Sequence, residues 1–185
     1  MIKSISLNLA VFIFGLFFLV SSRGWCQDIK GRWGVGYRYG YVSPDDDDFK
    51  THGNGNYLNL TYGLTNNIAV EAEAGYFSLK SKAGSRIGVY SLHTDIQLRA
   101  DFKRLAPYVL GGVGFQGYEY DSIGVGDRKD RNISFSYEAG GGLEYFLGKN
   151  WALNLEAVYI YGNTGGKATL DVYSWQYGGG IKYYF

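Results

Sequence analysis

From residue 32 onward, apolar side chains alternate one by one with small or polar ones, in runs closed by Gly, Asn, Asp or Ser. A period of two predicts β-strands with two unlike faces. Residues 32–42 set Trp33, Val35, Tyr37, Tyr39 and Tyr41 against Arg32, Gly34, Gly36, Arg38 and Gly40. The split recurs at 57–63 (Leu58, Leu60 and Tyr62 against Asn59 and Thr61) and at 68–77 (Val70, Ala72, Ala74 and Tyr76 against Glu71, Glu73 and Gly75). Residues 90–100 oppose Leu92, Thr94, Ile96 and Leu98 to Ser91, His93, Asp95, Gln97 and Arg99. A fifth strand, 108–116, is apolar on both faces, so its orientation stays open. The sixth, 133–145, sets Phe135, Tyr137, Ala139, Leu143 and Tyr145 against Ser134, Ser136, Glu138, Gly140, Gly142 and Glu144. The seventh, 151–161, opposes Leu153, Leu155, Ala157 and Tyr159 to Asn154 and Glu156, and the last runs from about 170 to the terminus.

Links 64–67, 101–106 and 147–150 are short, whereas 42–56, 78–89, 117–132 and 162–169 are longer, and the two kinds alternate strictly. That is the connectivity of an all-β, closed, eight-stranded antiparallel up-and-down barrel. In a transmembrane barrel the short turns lie on the periplasmic side and the long loops at the cell surface. Tyr39, Tyr41, Tyr76, Tyr118, Tyr120 and Tyr161 then fall near the outer interface, where tyrosines form aromatic girdles. Segments 67–76 and 150–159 resemble one another, which places Glu73 and Glu156 at equal heights on strands four apart, hence on opposite walls.

Two barrel classes share this pattern. A soluble carrier of the lipocalin kind has an apolar cavity and a wet exterior, and a membrane barrel reverses the two. The start of the chain favours the membrane: Lys3 precedes the apolar run 9–20 and polar Ser21 and Ser22 follow, the form of a signal peptide. The run is too short for a transmembrane helix. Gly24 and Cys26 suit cleavage before Gln27, giving a signal peptide over 1–26 and a barrel domain over 27–185; cleavage after Ser22 is the alternative. Acylation of Cys26 is disfavoured by the bulky Trp25 before it. The domain after such a cut has no cysteine, and losing Lys3 and Arg23 leaves 16 basic against 17 acidic residues, so nothing points to disulfides or nucleic acid.

Composition sharpens the picture: 28 Gly, 18 Tyr and 11 Phe with two prolines suit strands and turns and leave no long helical pattern. At the C-terminus Tyr173, Trp175, Tyr177, Gly179, Ile181, Tyr183 and Phe185 share one face. This resembles the β-signal by which the barrel-assembly machinery recognises outer-membrane proteins, with Gly180, Tyr183 and Phe185 in the signal positions and Gly178 departing from the polar residue preferred there. With segments 62–71, 106–114 and 142–146, residues 31–185 resemble the small outer-membrane barrels that include the transmembrane domain of outer membrane protein A and the opacity-type surface proteins. The resemblance implies location more than activity, since such barrels include structural proteins and adhesins.

Eight strands enclose side chains and hardly a channel. Arg38, Glu71, Glu73, Asp95, Arg99, Glu138, Glu156 and Lys182 are expected to face the lumen with opposite charges interleaved, forming a salt-bridge plug. The expected role is therefore non-enzymatic, structural or surface-binding; a narrow pore is the alternative. A lipid-modifying enzyme is a further one, since His93 shares a face with Ser91 and Asp95, but spacing along one strand stacks the three inside the lumen, away from lipid. The other histidine is His52. Asp45, Asp46, Asp47 and Asp48 invite a calcium reading but lack EF-hand spacing, and solvation is the simpler account. Lys80, Lys82, Arg86, Arg128, Lys129 and Arg131 are candidates for lipopolysaccharide phosphates or for plain solvent exposure. No cofactor or metal is implied. Expected partners are membrane lipid and lipopolysaccharide, the assembly machinery during insertion and an extracellular ligand at the loops, with the protein a monomer.

Overall fold

A computed structural model describes residues 28–45, 49–81, 86–121, 131–163 and 171–185. The signal-peptide segment, Asp46 to Asp48, and the side chains of the six basic residues proposed for phosphate contact lie outside the described residues. Eight strands follow one another: β1 (Trp33–Pro44), β2 (Phe49–Gly63), β3 (Ile68–Ser81), β4 (Arg86–Arg99), β5 (Leu105–Asp121), β6 (Arg131–Phe146), β7 (Trp151–Asn163) and β8 (Asp171–Tyr184). Each pairs antiparallel with its neighbours, and β8 returns to β1, so the sheet closes and leaves no edge.

Register sets the geometry. Register partners followed from Arg38 through Tyr57, Gly75, Ser91 and Gln116 arrive at Ser134 on β6. In the other direction they run through Gly180 and Asn154 to Glu144, ten residues further along the same strand. An offset of ten over eight strands tilts them by about 40° and gives a radius of about 8 Å, room for side chains alone.

The outer face is predominantly apolar and the middle of the lumen predominantly polar, so the barrel matches hydrocarbon and not water. Trp33 packs on Tyr62 and Trp151 on Tyr183 around the short-turn end. Around the other end Tyr76 meets Tyr90, and Tyr161 lies between Tyr137 and Tyr173. Tyr39 and Tyr41 are outward and exposed. One outward polar residue, Asn56, accepts a hydrogen bond of 2.6 Å from the Tyr37 hydroxyl.

Several expectations are corrected. The strands run 12 to 17 residues, so much of the supposed surface loops is ladder. The period of two persists into these extensions and turns Val42, Phe77, Leu79, Ile87, Val89 and Tyr118 inward, where they pack with Tyr57 as an apolar roof. Tyr118 therefore belongs to no girdle: it is buried and donates to Gln116 Oε1 at 2.6 Å. On β5, whose facing the sequence left open, Tyr108, Leu110, Gln116 and Tyr118 point inward while Val113 and Phe115 point outward. Val113→Arg is accordingly expected to destabilise the barrel by up to about 2–4 kcal/mol in urea unfolding from lipid vesicles, the cost of a cation on the lipid-facing side.

At the opposite end the segment before β1 forms a floor. Ile29 is buried against Ala69, Ala106, Phe146, Ala152 and Tyr184. Gly31 turns the chain with φ 73°, in the left-handed region that glycine tolerates, and its N–H donates to the Gly63 carbonyl. Arg32 is not part of the inward face of β1. Its guanidinium donates to the carbonyls of Tyr184 (2.7 Å) and Lys149 (2.8 Å), clasping the last strand at the seam.

Candidate functional site in the barrel lumen

Alternation along β1, β3, β4, β6, β7 and β8 delivers the ionisable side chains to a lumen too narrow to keep them apart. Arg38, Glu71, Glu73, Asp95, Arg99, Glu138, Glu156 and Lys182 are all buried there. In the middle, Arg38 on β1 crosses the lumen to both walls, with Nη2 2.5 Å from Glu73 on β3 and Nη1 2.7 Å from Glu156 on β7. Its guanidinium also lies 4.4 Å from the centre of the Tyr57 ring, a cation–π contact. Glu156 accepts a further bond from the Tyr108 hydroxyl at 2.7 Å.

Below this lies a residue the sequence reading placed on the inward face without giving it a role. Glu144, fully buried, pairs with Arg99 at 2.8 Å and Lys182 at 3.0 Å and accepts a bond from the Tyr184 hydroxyl. Lys182 reaches on to Glu71 on β3, which Thr61 also bonds. Parity is the available signal for Glu144; its partners come from β4 and β8, which no local pattern couples to β6.

Glycines make the space. A Cβ at Gly178 would meet the Arg38 side chain, and one at Gly180 would strike the Tyr37 carbonyl and the Asn154 side chain. Gly178, a departure from the resemblance at the C-terminus, thus has a packing reason. On the outer face Tyr183 stacks with Phe185, whose N–H donates to the Trp33 carbonyl at 2.8 Å.

Near the roof His93 bonds through Nε2 to Ser136 Oγ at 2.8 Å, and its Nδ1 is 3.5 Å from Glu138 Oε2. Ser91 and Asp95, the neighbours that suggested a triad, are not its partners in these bonds. The row of serine, histidine and acid has the order of a nucleophilic relay, but Ser136 is 0% exposed. Ladder pairing also engages the surrounding strand backbones, leaving no arrangement of free donors for an oxyanion. Among the described residues no group of His, Cys, Asp and Glu has the geometry to hold a metal.

A family model described as outer membrane protein beta-barrel domain matches residues 12–185. Among solved structures, Neisserial surface protein A aligns with a TM-score of 0.72 at 15% identity, over 84% of this chain and all (100%) of that one. The N-terminal β-barrel domain of Pseudomonas aeruginosa OprF gives 0.53 at 18%, covering 84% and 98%. Ail, the attachment invasion locus protein of Yersinia pestis, gives 0.55 at 20%, covering 84% and 99%. No curated protein matches the sequence. At these identities the structural likeness shows the fold alone.

Proposed function

The chain belongs to the outer membrane protein β-barrel domain family of the bacterial outer membrane, and from that premise we propose that it is a non-enzymatic barrel with a closed lumen, acting through its cell-surface loops as a structural or surface-binding protein. The lumen supports this. Arg38 joins opposite walls through Glu73 and Glu156, and Lys182 and Arg99 converge on Glu144, between an apolar roof and an apolar floor. A solute crossing it must break buried ion pairs, each break leaving an uncompensated charge. A buried serine without a cleft argues against lipid chemistry at His93.

The partners proposed are membrane lipid and lipopolysaccharide, the assembly machinery acting on the strand that carries Gly180, Tyr183 and Phe185, and an extracellular ligand at the loops; residues 1–26 direct export and are removed as a signal peptide. Surface attachment has a parallel in the name of Ail, which has also been solved with the heparin analogue sucrose octasulfate. A strain with exchanged surface loops, compared with its parent for adhesion and permeability, tests the proposal. The expected result is lost adhesion with unchanged permeability, and no steady large conductance from the folded protein in planar bilayers. Steady conductance would instead establish the narrow pore.

A further inference from the structure

Among the described residues, six carboxyl side chains are buried in the lumen against three cations, Arg38, Arg99 and Lys182. The surplus is local. In the lower lumen Glu71 and Glu144 are matched by Lys182 and Arg99. Higher up, Arg38 is already shared by Glu73 and Glu156. Asp95 on β4 and Glu138 on β6 flank Gly112 of β5 in the ladder register, both turned into the lumen within reach of each other and with no cation between them.

Two ionised carboxylates offer only acceptors, so a bond between them requires a proton on one. The surroundings supply no other compensation. Arg38 from β1 is engaged, Tyr57 from β2 lies against it, and Glu73 and Glu156 from β3 and β7 add negative charge. β5 presents Gly112 and Gly114, and β8 the neutral Gln176. Asp95 is only 3% exposed, its Oδ1 has no hydrogen-bond partner, and a Cβ at Gly112 would strike that atom. His93 completes the set: Nε2 lies 2.8 Å from Ser136 Oγ and Nδ1 3.5 Å from Glu138 Oε2, so the tautomer that accepts from the serine hydroxyl turns its Nδ1–H toward Glu138.

We propose that Asp95 and Glu138 form a proton-binding site in the lumen beneath the roof, one proton held between the two carboxyl groups and oriented by the Ser136–His93 pair. The site sets the charge of the lumen independently of what the loops bind.

Glutamine carries an N–H donor where a protonated glutamate carries O–H, so Glu138→Gln reproduces the proposed state, whereas Glu144→Gln removes a charge that Arg99 and Lys182 need. In urea unfolding from lipid vesicles, Glu138→Gln is expected to change the unfolding equilibrium constant by less than about threefold and Glu144→Gln by about a hundredfold or more. Infrared spectra of the folded wild type at neutral pH should show a protonated carboxyl band that Glu138→Gln removes. Equal penalties for the two variants overturn the proposal, as does absence of the band from the wild type, which is read however the variants fold. Wild-type stability that rises with sodium or potassium relative to choline, and loses that dependence in Glu138→Gln, overturns it in favour of an alkali cation.

Discussion

Replacing Arg38 with alanine is expected to lower the unfolding free energy by about 3–5 kcal/mol, the cost of removing one member of a buried ion cluster. Arg38 is 2% exposed and is the cation for both Glu73 and Glu156, so its loss strands two carboxylates on facing walls. The Tyr57 ring loses its guanidinium contact as well. Lysine should recover part of the loss only, because a point charge on a flexible stem cannot bond two partners on opposite walls as a planar fork does. The combination Arg38→Met, Glu73→Gln and Glu156→Gln should be far less damaging than Arg38→Ala, since the penalty arises from unpaired charge and not from lost attraction. Urea titration in lipid vesicles, followed by tryptophan fluorescence and heat-dependent gel mobility, measures each. A cost below about 1 kcal/mol for Arg38→Ala, the range of exposed pairs, would mean that water reaches the pair.

Glu144→Ala inverts the same experiment, since one acid there serves two cations. The cost should again be about 3–5 kcal/mol, because Arg99 and Lys182 both lose a partner in a region that is 0% exposed at Glu144. Tyr184, which bonds Glu144 and packs at a tilt against Phe146 in the floor, is loosened too. Adding Lys182→Met should return part of the loss, so the two substitutions together cost less than their sum by at least about 1 kcal/mol. Strict additivity would show that the cations and the acid do not act as one cluster.

The two clusters differ in how far they were legible beforehand. Facing follows from parity, so every lumen charge could be assigned a side from its own strand, and the repeat around Glu73 and Glu156 even placed those two on opposite walls. That Arg38 joins them was beyond reach: nothing in the local pattern of β1 indicates which rung of β3 or β7 lies across from it. Glu144 was assigned a side but no role, because its cations arrive from β4 and β8. The fifth strand had no parity to read, being apolar on both faces; its inward side is chosen by what its neighbours leave room for. Val42, Phe77, Leu79, Ile87 and Val89 carry no local signal of an inward position, because apolar residues facing a lumen break the polar-in rule that identifies the barrel.

Side-chain alternation is a property of one strand at a time and is written in adjacent residues. Strand number, the apolar outer face and the inward set of charges are therefore determined by the sequence alone. Closure is a property of all eight strands together: the offset of ten residues and the tilt that follows from it decide which rungs share a height. Only that non-local register brings Arg38 between two glutamates, gathers Arg99 and Lys182 on Glu144, and sets Asp95 against Glu138.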